Sequence, residues 1–132
     1  MPVINLTKKT WLATKVRKVD SFLTRLIGLL KRKRLGPEEA FWLVPSKGIH
    51  TVGMRFHIDV IFLDKEKKAI ELISSLAPYS FTGLRLTARS VLELPAGTIK
   101  KSHTEVGDQL EVSLAESSGM DDLKETRLSQ IG

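Results

Sequence analysis

The sequence predicts an α+β domain that is mostly β, either a compact antiparallel barrel-like sheet or a sandwich, with one N-terminal helix at about residues 21–34. Two patterns carry this prediction. Six or seven short apolar segments alternate with turn residues, as in antiparallel barrels and sandwiches. One segment has its apolar residues at helical spacing. With 132 residues, 42% of them hydrophobic and 27% charged, the chain has the size and composition of one globular domain.

The first two elements are a strand and the helix. Apolar and polar residues alternate weakly over Leu12–Val19, which predicts a strand. Asp20 or Ser21 can then cap a helix by accepting a hydrogen bond from an early backbone N–H. Gly36 and Pro37 are a normal stop signal. The apolar stripe of the helix comprises Phe22, Leu23, Leu26, Ile27, Leu29 and Leu30.

The remaining elements are short strands. The almost continuously apolar Ile58–Leu63 predicts a strand covered on both faces, and the polar turn at 64–68 predicts a hairpin with the strand that follows. We expect residues 1–114 to form a single barrel-like domain and residues 115–132 to be a mobile polar tail. The other predicted strands are Phe41–Val44, Ala69–Ile73, Ser90–Leu94 and Leu110–Leu114.

Composition excludes several classes of protein. The chain has no cysteine, which excludes disulfides, thiolate metal sites and a cysteine nucleophile. It has no apolar run long enough for a membrane-spanning helix and no leader-like N-terminus, so we expect a cytoplasmic protein without a membrane span. No phosphate loop, dinucleotide fingerprint or nucleophile elbow is present. We therefore predict no cofactor and no metal, and we expect a monomer.

Positive charge is concentrated near the N-terminus. Residues 1–34 hold ten Lys and Arg against one acid, whereas the whole chain has a net charge of +6. The run Lys31, Arg32, Lys33 and Arg34 is a candidate surface for an anionic partner such as nucleic acid or a membrane. It has a structural interpretation too, because cations stabilise the last turn of a helix.

Three segments in this order resemble the domain-of-unknown-function family 192, an uncharacterised family. They are RLIGLL at 25–30, GIHTVGMRFHIDVIFLD at 48–64 and VLELPAG at 91–97, and the resemblance runs from about residue 12 to residue 114. It implies a compact, mostly β domain with one N-terminal helix, and no settled activity. His57 stands where the family pattern has proline. The matching positions are Arg25, Gly28, Leu29, His50, Thr51, Met54, Arg55, Asp59, Glu93, Gly97, Gly107 and Asp108.

Polar residues within these apolar segments are the candidate site. Asp59 lies among apolar residues, and a buried carboxylate must be paired or hydrogen-bonded. It is either a structural group held by backbone N–H or by an arginine (Arg25 or Arg89), or a general acid or base tuned by burial. A metal site made of His50, His57 and Asp59 is disfavoured, because His50 has the opposite strand parity. The candidate ligand-binding residues are Arg25, His50, Thr51, Arg55, Asp59 and Glu93.

Three functions stay open on the sequence. The first is a site for a small polar or anionic ligand at one rim of the sheet, around residues 50–59. The second is a non-catalytic accessory or interaction domain in which the polar cluster is only structural. The third, ranked below these, is binding of nucleic acid or an anionic surface through the basic N-terminal region. No reaction can be assigned, so whether the protein is an enzyme stays open.

Overall fold

The computed structural model describes residues 2–19, 35–51 and 54–113. The predicted helix at 21–34, with Arg25 and the run Lys31–Arg34, and the predicted tail at 115–132 lie outside these residues. The described strands are β1 (Val3–Asn5), β2 (Thr10–Ala13), β3 (Lys15–Val19), β4 (Glu39–Leu43), β5 (Ile58–Leu63), β6 (Ala69–Leu76), β7 (Ser90–Pro95) and β8 (Leu110–Val112). One short helix, α1 (Thr98–Ser102), lies between β7 and β8.

The strands form two sheets that pack as an open sandwich. The smaller sheet has the order β2-β1-β8 and is antiparallel throughout. The larger has the order β3-β4-β7-β5-β6, in which β3 and β4 pair in parallel and the other pairs are antiparallel. The described strands are thus mostly antiparallel, and the sandwich is the architecture found. Within the described ranges, no helix has the length and apolarity of a transmembrane span.

The strand predictions hold with two differences. The predicted strand β5 has the observed bounds, Ile58–Leu63. The single strand predicted over Leu12–Val19 is instead two strands, β2 and β3, which belong to different sheets and are separated by Thr14. Neither β1 nor α1 was predicted, because a three-residue strand and a one-turn helix carry too few residues for a recognisable period.

Two apolar clusters lie on opposite faces of the larger sheet. Residues of β5 alternate between them. Ile61 and Leu63 belong to one cluster, which we call the inter-sheet cluster, and Val60 and Phe62 belong to the other, which we call the outer cluster. The inter-sheet cluster also contains Val3, Leu12, Ile99 and Leu110, so it lies between the sheets and beneath α1. The outer cluster also contains Ile49, Met54 and Ala88, which come from loops. All six residues of β5 are buried, which explains its continuous apolar character.

Candidate functional site

A layer of loops covers the outer cluster. Residues 77–89 connect β6 to β7. The strand register places the end of β6 beside Ile58 and the start of β7 beside Leu63, at opposite ends of β5. The segment must therefore cross the face of the sheet, where it pairs with residues 44–51. We call these two segments the loop pair. His50 and Thr51, two residues of the predicted rim site, thus lie in a layer of loops that covers this face of the sheet.

Backbone hydrogen bonds fix the loop pair. The Thr51 N–H donates to Ser80 O at 2.9 Å, and the Thr82 N–H donates to Ile49 O at 3.0 Å. The buried Thr51 hydroxyl donates to Ala77 O at 2.7 Å and accepts from the Ser80 N–H at 2.7 Å. Because this buried hydroxyl both donates and accepts within the loop pair, Thr51 positions the loops.

Arg85 fastens the middle of the segment to the sheet. Its Nε donates to Glu71 Oε1 at 2.7 Å and a terminal nitrogen donates to Glu71 Oε2 at 2.8 Å. The guanidinium carbon lies 5.2 Å from the ring centroid of Phe62, and a further bond goes to the backbone oxygen of Thr82. The hydrogen bond from Arg85 lowers the pKa of Glu71. Arg85 therefore points inward, although it lies between two exposed leucines.

The opposite side of the segment exposes apolar side chains. Inward-facing Ser80, Thr82 and Arg85 are spaced between residues that face solvent. The exposed fractions are 69% for Tyr79, 75% for Phe81, 74% for Leu84 and 81% for Leu86. We call these four side chains, together with exposed His50, the outer face of the loop pair. His50 pairs with Phe81 in an isolated β-bridge, and the two ring centroids are 6.1 Å apart.

The charge around this outer face has one sign. The ranges 40–58 and 72–92 contain no aspartate or glutamate. Arg55, Lys47 and Arg89 are exposed in these ranges, and the Lys47 ammonium donates to Leu86 O at 2.8 Å. The two ranges that contain the loop pair therefore carry only cationic or neutral side chains.

Asp59 has a structural position on the other face of the sheet. It is fully buried opposite Leu94, and its carboxylate accepts three backbone hydrogen bonds. Oδ1 accepts from the Ser75 N–H at 2.9 Å, and Oδ2 accepts from Gly97 at 3.1 Å and Ile99 at 2.8 Å. Ser75 has φ 53° at an irregularity of β6, and Gly97 is the N-cap of α1 with φ 98°. Asp59 thus fixes a strand irregularity and replaces the missing side-chain cap of α1.

This geometry corrects the predicted partner of Asp59. The carboxylate is held by backbone N–H groups, one of the two structural interpretations, and not by Arg89. Arg89 lies beside Leu63, at the far end of β5. Arg25, the other predicted partner, lies outside the described residues. With both oxygens occupied in a buried position, Asp59 has no free lone pair facing solvent to offer a ligand.

Glu93 is separated from Asp59 by the sheet itself. It is buried in β7 between Phe41 and Val60, on the side of the outer cluster. Of the six candidate ligand-binding residues, the structure leaves His50 and Arg55 exposed and buries Thr51, Asp59 and Glu93. Among the described residues, no three histidine or acidic side chains are arranged to hold a metal ion.

A second polar cluster joins the two ends of the described chain. Asp108 Oδ2 accepts from Asn5 Nδ2 at 2.9 Å, from the Lys8 ammonium at 2.8 Å and from the Glu105 N–H at 2.9 Å. Burial acts to raise the pKa of Asp108, but the bonds from Asn5 and Lys8 outweigh it and the pKa is lowered. The bonds to Asp108 and Glu105 raise the pKa of Lys8. Asp108 thus closes the turn at 105–108 by accepting a backbone N–H on its side chain, and Gly107 before it has φ 96°.

The sequence analysis did not predict the outer face or the contacts that Asn5 and Lys8 make with Asp108. Asn5 and Lys8 gave no signal, because their partner lies about a hundred positions away. The outer face did leave a signal in the sequence. Tyr79, Phe81, Leu84 and Leu86 form an apolar pattern in a segment bounded by Pro78 and interrupted by Gly83, where loop residues are usually polar.

Solved structures similar to this one show the same fold. A protein of unknown function from Novosphingobium aromaticivorans superposes with a TM-score of 0.72 at 19% identity, covering 85% of this chain and 84% of that chain. A Sinorhizobium meliloti protein described as a candidate transcription regulator gives a TM-score of 0.69 at 20% identity, covering 83% and 89%. At these identities, the likeness is one of fold alone.

Sequence relatives give the family. A UPF0127 protein of Pyrococcus furiosus is 34% identical, covering 83% of this chain and 96% of its own length. A UPF0127 protein of Thermococcus sibiricus is 29% identical, covering 98% and 86%. The family model described as "Uncharacterized ACR" matches residues 3–112. Because this match spans most of the chain, the protein belongs to domain-of-unknown-function family 192.

Proposed function

We propose that this protein is a binding module for an anionic ligand, which it takes up on the outer face of the loop pair. The supporting observation is the exposed imidazole of His50 beside the Phe81 ring, on a fixed scaffold whose neighbouring ranges carry no acid. An aromatic ring and several cationic side chains together suit a ligand with a negatively charged group and an apolar part.

The buried acids support binding over catalysis. A general acid or base must reach the group with which it exchanges a proton. Asp59 is fully buried and bonded to backbone N–H groups, and Glu93 is buried on the side of the outer cluster, so neither carboxylate reaches solvent. The exposed candidates, His50 and Arg55, are suited to attract and orient an anion. The structural contacts of Asp59 also agree with the second function left open by the sequence, a non-catalytic accessory domain whose buried polar groups only stabilise the fold.

The test is a titration with inorganic pyrophosphate, followed by NMR of the histidine side chains and the backbone amides. We expect chemical-shift changes at His50, Phe81 and Arg55 that become smaller as salt concentration rises. Dissolved salt screens the attraction between exposed charges, over a distance of about 10 Å at 0.1 M and a shorter one at higher concentration. His50→Ala with Arg55→Ala should remove the shifts. Pyrophosphate shifts that survive this double substitution would contradict the proposal.

Matched controls lie elsewhere on the surface. His103 is exposed at the end of α1, on a separate part of the chain, and has φ 58°. His103→Asn is suitable there because asparagine tolerates this backbone conformation. Arg17 is an exposed arginine on β3, and Arg17→Ala matches the charge change of Arg55→Ala. Both control variants should titrate like the natural protein.

A further inference from the structure

The outer face carries more apolar surface than a small anion needs. Tyr79, Phe81, Leu84 and Leu86 each keep more than two thirds of their surface exposed within eight residues of chain. Exposed leucines scattered singly are ordinary, but a contiguous apolar patch edged by polar groups marks an interaction surface. The four side chains are exposed because the backbone that carries them is fixed from the inner side.

The loop pair prevents these side chains from turning inward. Arg85 takes the inward position between Leu84 and Leu86, where both nitrogens that face Glu71 are hydrogen-bonded at 2.7 and 2.8 Å. Thr82 holds the preceding turn to Ile49. The outer cluster beneath is already filled by Ile49, Met54 and Ala88. The leucines therefore project outward on a scaffold that is formed before any partner binds.

The kind of partner follows from shape and charge. The exposed side chains of the outer face are both aliphatic and aromatic, the composition of apolar faces that bind at a lipid interface. Tyr79 and Phe81 offer rings on which a nucleic-acid base could stack, but Leu84 and Leu86 are aliphatic and equally exposed, and they offer no stacking surface. Lys47 and Arg89 flank the segment, and no acid lies in residues 72–92. Apolar side chains beside cations are the chemistry of an anionic membrane interface.

We propose that the outer face docks on an anionic lipid bilayer, with Leu84 and Leu86 entering the headgroup–acyl boundary and Lys47 and Arg89 contacting lipid headgroups. This inference rests on the proposed function, since it names the anionic partner of the same face. Burial of apolar area and attraction to anionic lipid add in such binding. Lysine and arginine can keep their charges at the headgroups while their stems lie along apolar surface.

The first experiment is co-sedimentation of the full chain with phosphatidylcholine vesicles, with and without phosphatidylglycerol. We expect binding that requires phosphatidylglycerol and falls as salt rises. Leu84→Ser with Leu86→Ser should weaken it by roughly tenfold or more, from the apolar area that each leucine would bury. Leu6→Ser with Val106→Ser is the matched control, because these residues are 46% and 63% exposed outside the loop pair. That control variant should bind like the natural protein.

The second experiment reports insertion directly. The chain has no cysteine, so Leu86→Cys and Val106→Cys each give one site for an environment-sensitive fluorophore. We expect a blue shift on vesicles at position 86 and none at position 106. Absence of binding to phosphatidylglycerol vesicles, equal shifts at both positions, or unchanged binding after the two leucine substitutions would each overturn the inference.

The outcomes separate this inference from the proposed function. Pyrophosphate shifts at His50 together with no vesicle binding would leave the anion-binding proposal standing and sink the lipid inference. Binding to soluble polyglutamate without binding to vesicles would assign the face to an acidic protein and would likewise overturn the lipid inference. Vesicle binding that depends on Leu84 and Leu86, without any pyrophosphate shift, would support docking on lipid and contradict the binding of a free anion at His50 and Arg55.

Discussion

The two sides of the larger sheet differ in how they place one polar residue and one pair of apolar residues. On the inter-sheet side, Asp59 is buried and all three of its described bonds come from backbone N–H groups. On the other side, Leu84 and Leu86 are exposed while the arginine between them is held inward. From this difference, we expect stability to depend on the first region and the proposed recognition to depend on the second. Substitutions should therefore separate the two properties.

The largest expected effect is at Asp59. Asp59→Asn replaces one acceptor oxygen by an amide donor, which then faces a backbone N–H of Ser75 or of Gly97 and Ile99. A buried donor left without its acceptor costs about 1–3 kcal/mol, so we expect a loss of about 3 kcal/mol in the free energy of unfolding. Chemical denaturation measures it.

Asp64→Asn is the matched control for Asp59→Asn. The Asp64 carboxylate also accepts from backbone N–H groups, those of Glu66 and Lys68, but in an exposed turn. We expect a loss of less than about 1 kcal/mol there, because water can replace the bonds. Equal losses at Asp59 and Asp64 would show that burial is not what makes Asp59 important.

The next effect is at Asp108 and depends on pH. Asp108→Asn removes charge-assisted bonds from Lys8 and Asn5, and we expect a loss of about 2 kcal/mol near neutral pH. The folded pKa of Asp108 is lowered, so its ionised form contributes stability above its unfolded value, near 3.9, and that contribution disappears as pH falls through the folded pKa. The difference between natural protein and variant should vanish in acid.

Lys8 gives a pH dependence of the opposite sign, because its contribution to stability is lost at high pH. Its folded pKa is raised, so its contribution is complete below the unfolded value, near 10.4, and is lost as pH rises through the folded pKa. Unfolding measured across the whole range should show a plateau between the two transitions. A gap between natural protein and Asp108→Asn that persists at pH 2 would contradict the assigned pairing.

A smaller effect is expected at the arginine that fastens the loop pair. Arg85→Lys keeps the charge but loses the two-bond contact with Glu71. Because this pair is partly exposed, we expect a loss of only about 0.5–1 kcal/mol. Hydrogen exchange should show faster opening at Thr82 and Ser80, with no change in β5. Unchanged exchange in the loop pair would mean that the backbone bonds suffice to hold it.

The smallest effect on stability is expected at the outer face. Leu84→Ser and Leu86→Ser should each change the free energy of unfolding by less than about 0.5 kcal/mol, since exposed substitutions away from special features are nearly neutral. Thermal unfolding is the measurement. A large loss at either position would indicate that these leucines pack within the chain, and it would remove the basis for separating stability from recognition.

Much of the fold could be predicted because it depends on local pattern. The run Ile58–Leu63 is apolar at every position but one, which identified a strand covered on both faces. Gly97 and Gly107 have positive φ, a conformation that glycine adopts readily in turns. The candidate site was harder. His50 and Arg55, two of the candidate ligand-binding residues, are exposed. Strand parity could not reveal that Asp59 and Glu93 belong to opposite faces, because β7 must first be paired with β5.

The sequence by itself determined that this is a mostly β chain and that Asp59 needs buried partners, because alternation and the cost of a buried charge are properties of the residues themselves. Only the tertiary structure decided what the partners are. The Gly97 and Ile99 N–H groups reach Asp59 across 38 and 40 positions, and Asn5 reaches Asp108 across 103. The same packing turned Arg85 inward and left Leu84 and Leu86 outside. Such pairings depend on how distant strands meet, which no local period contains.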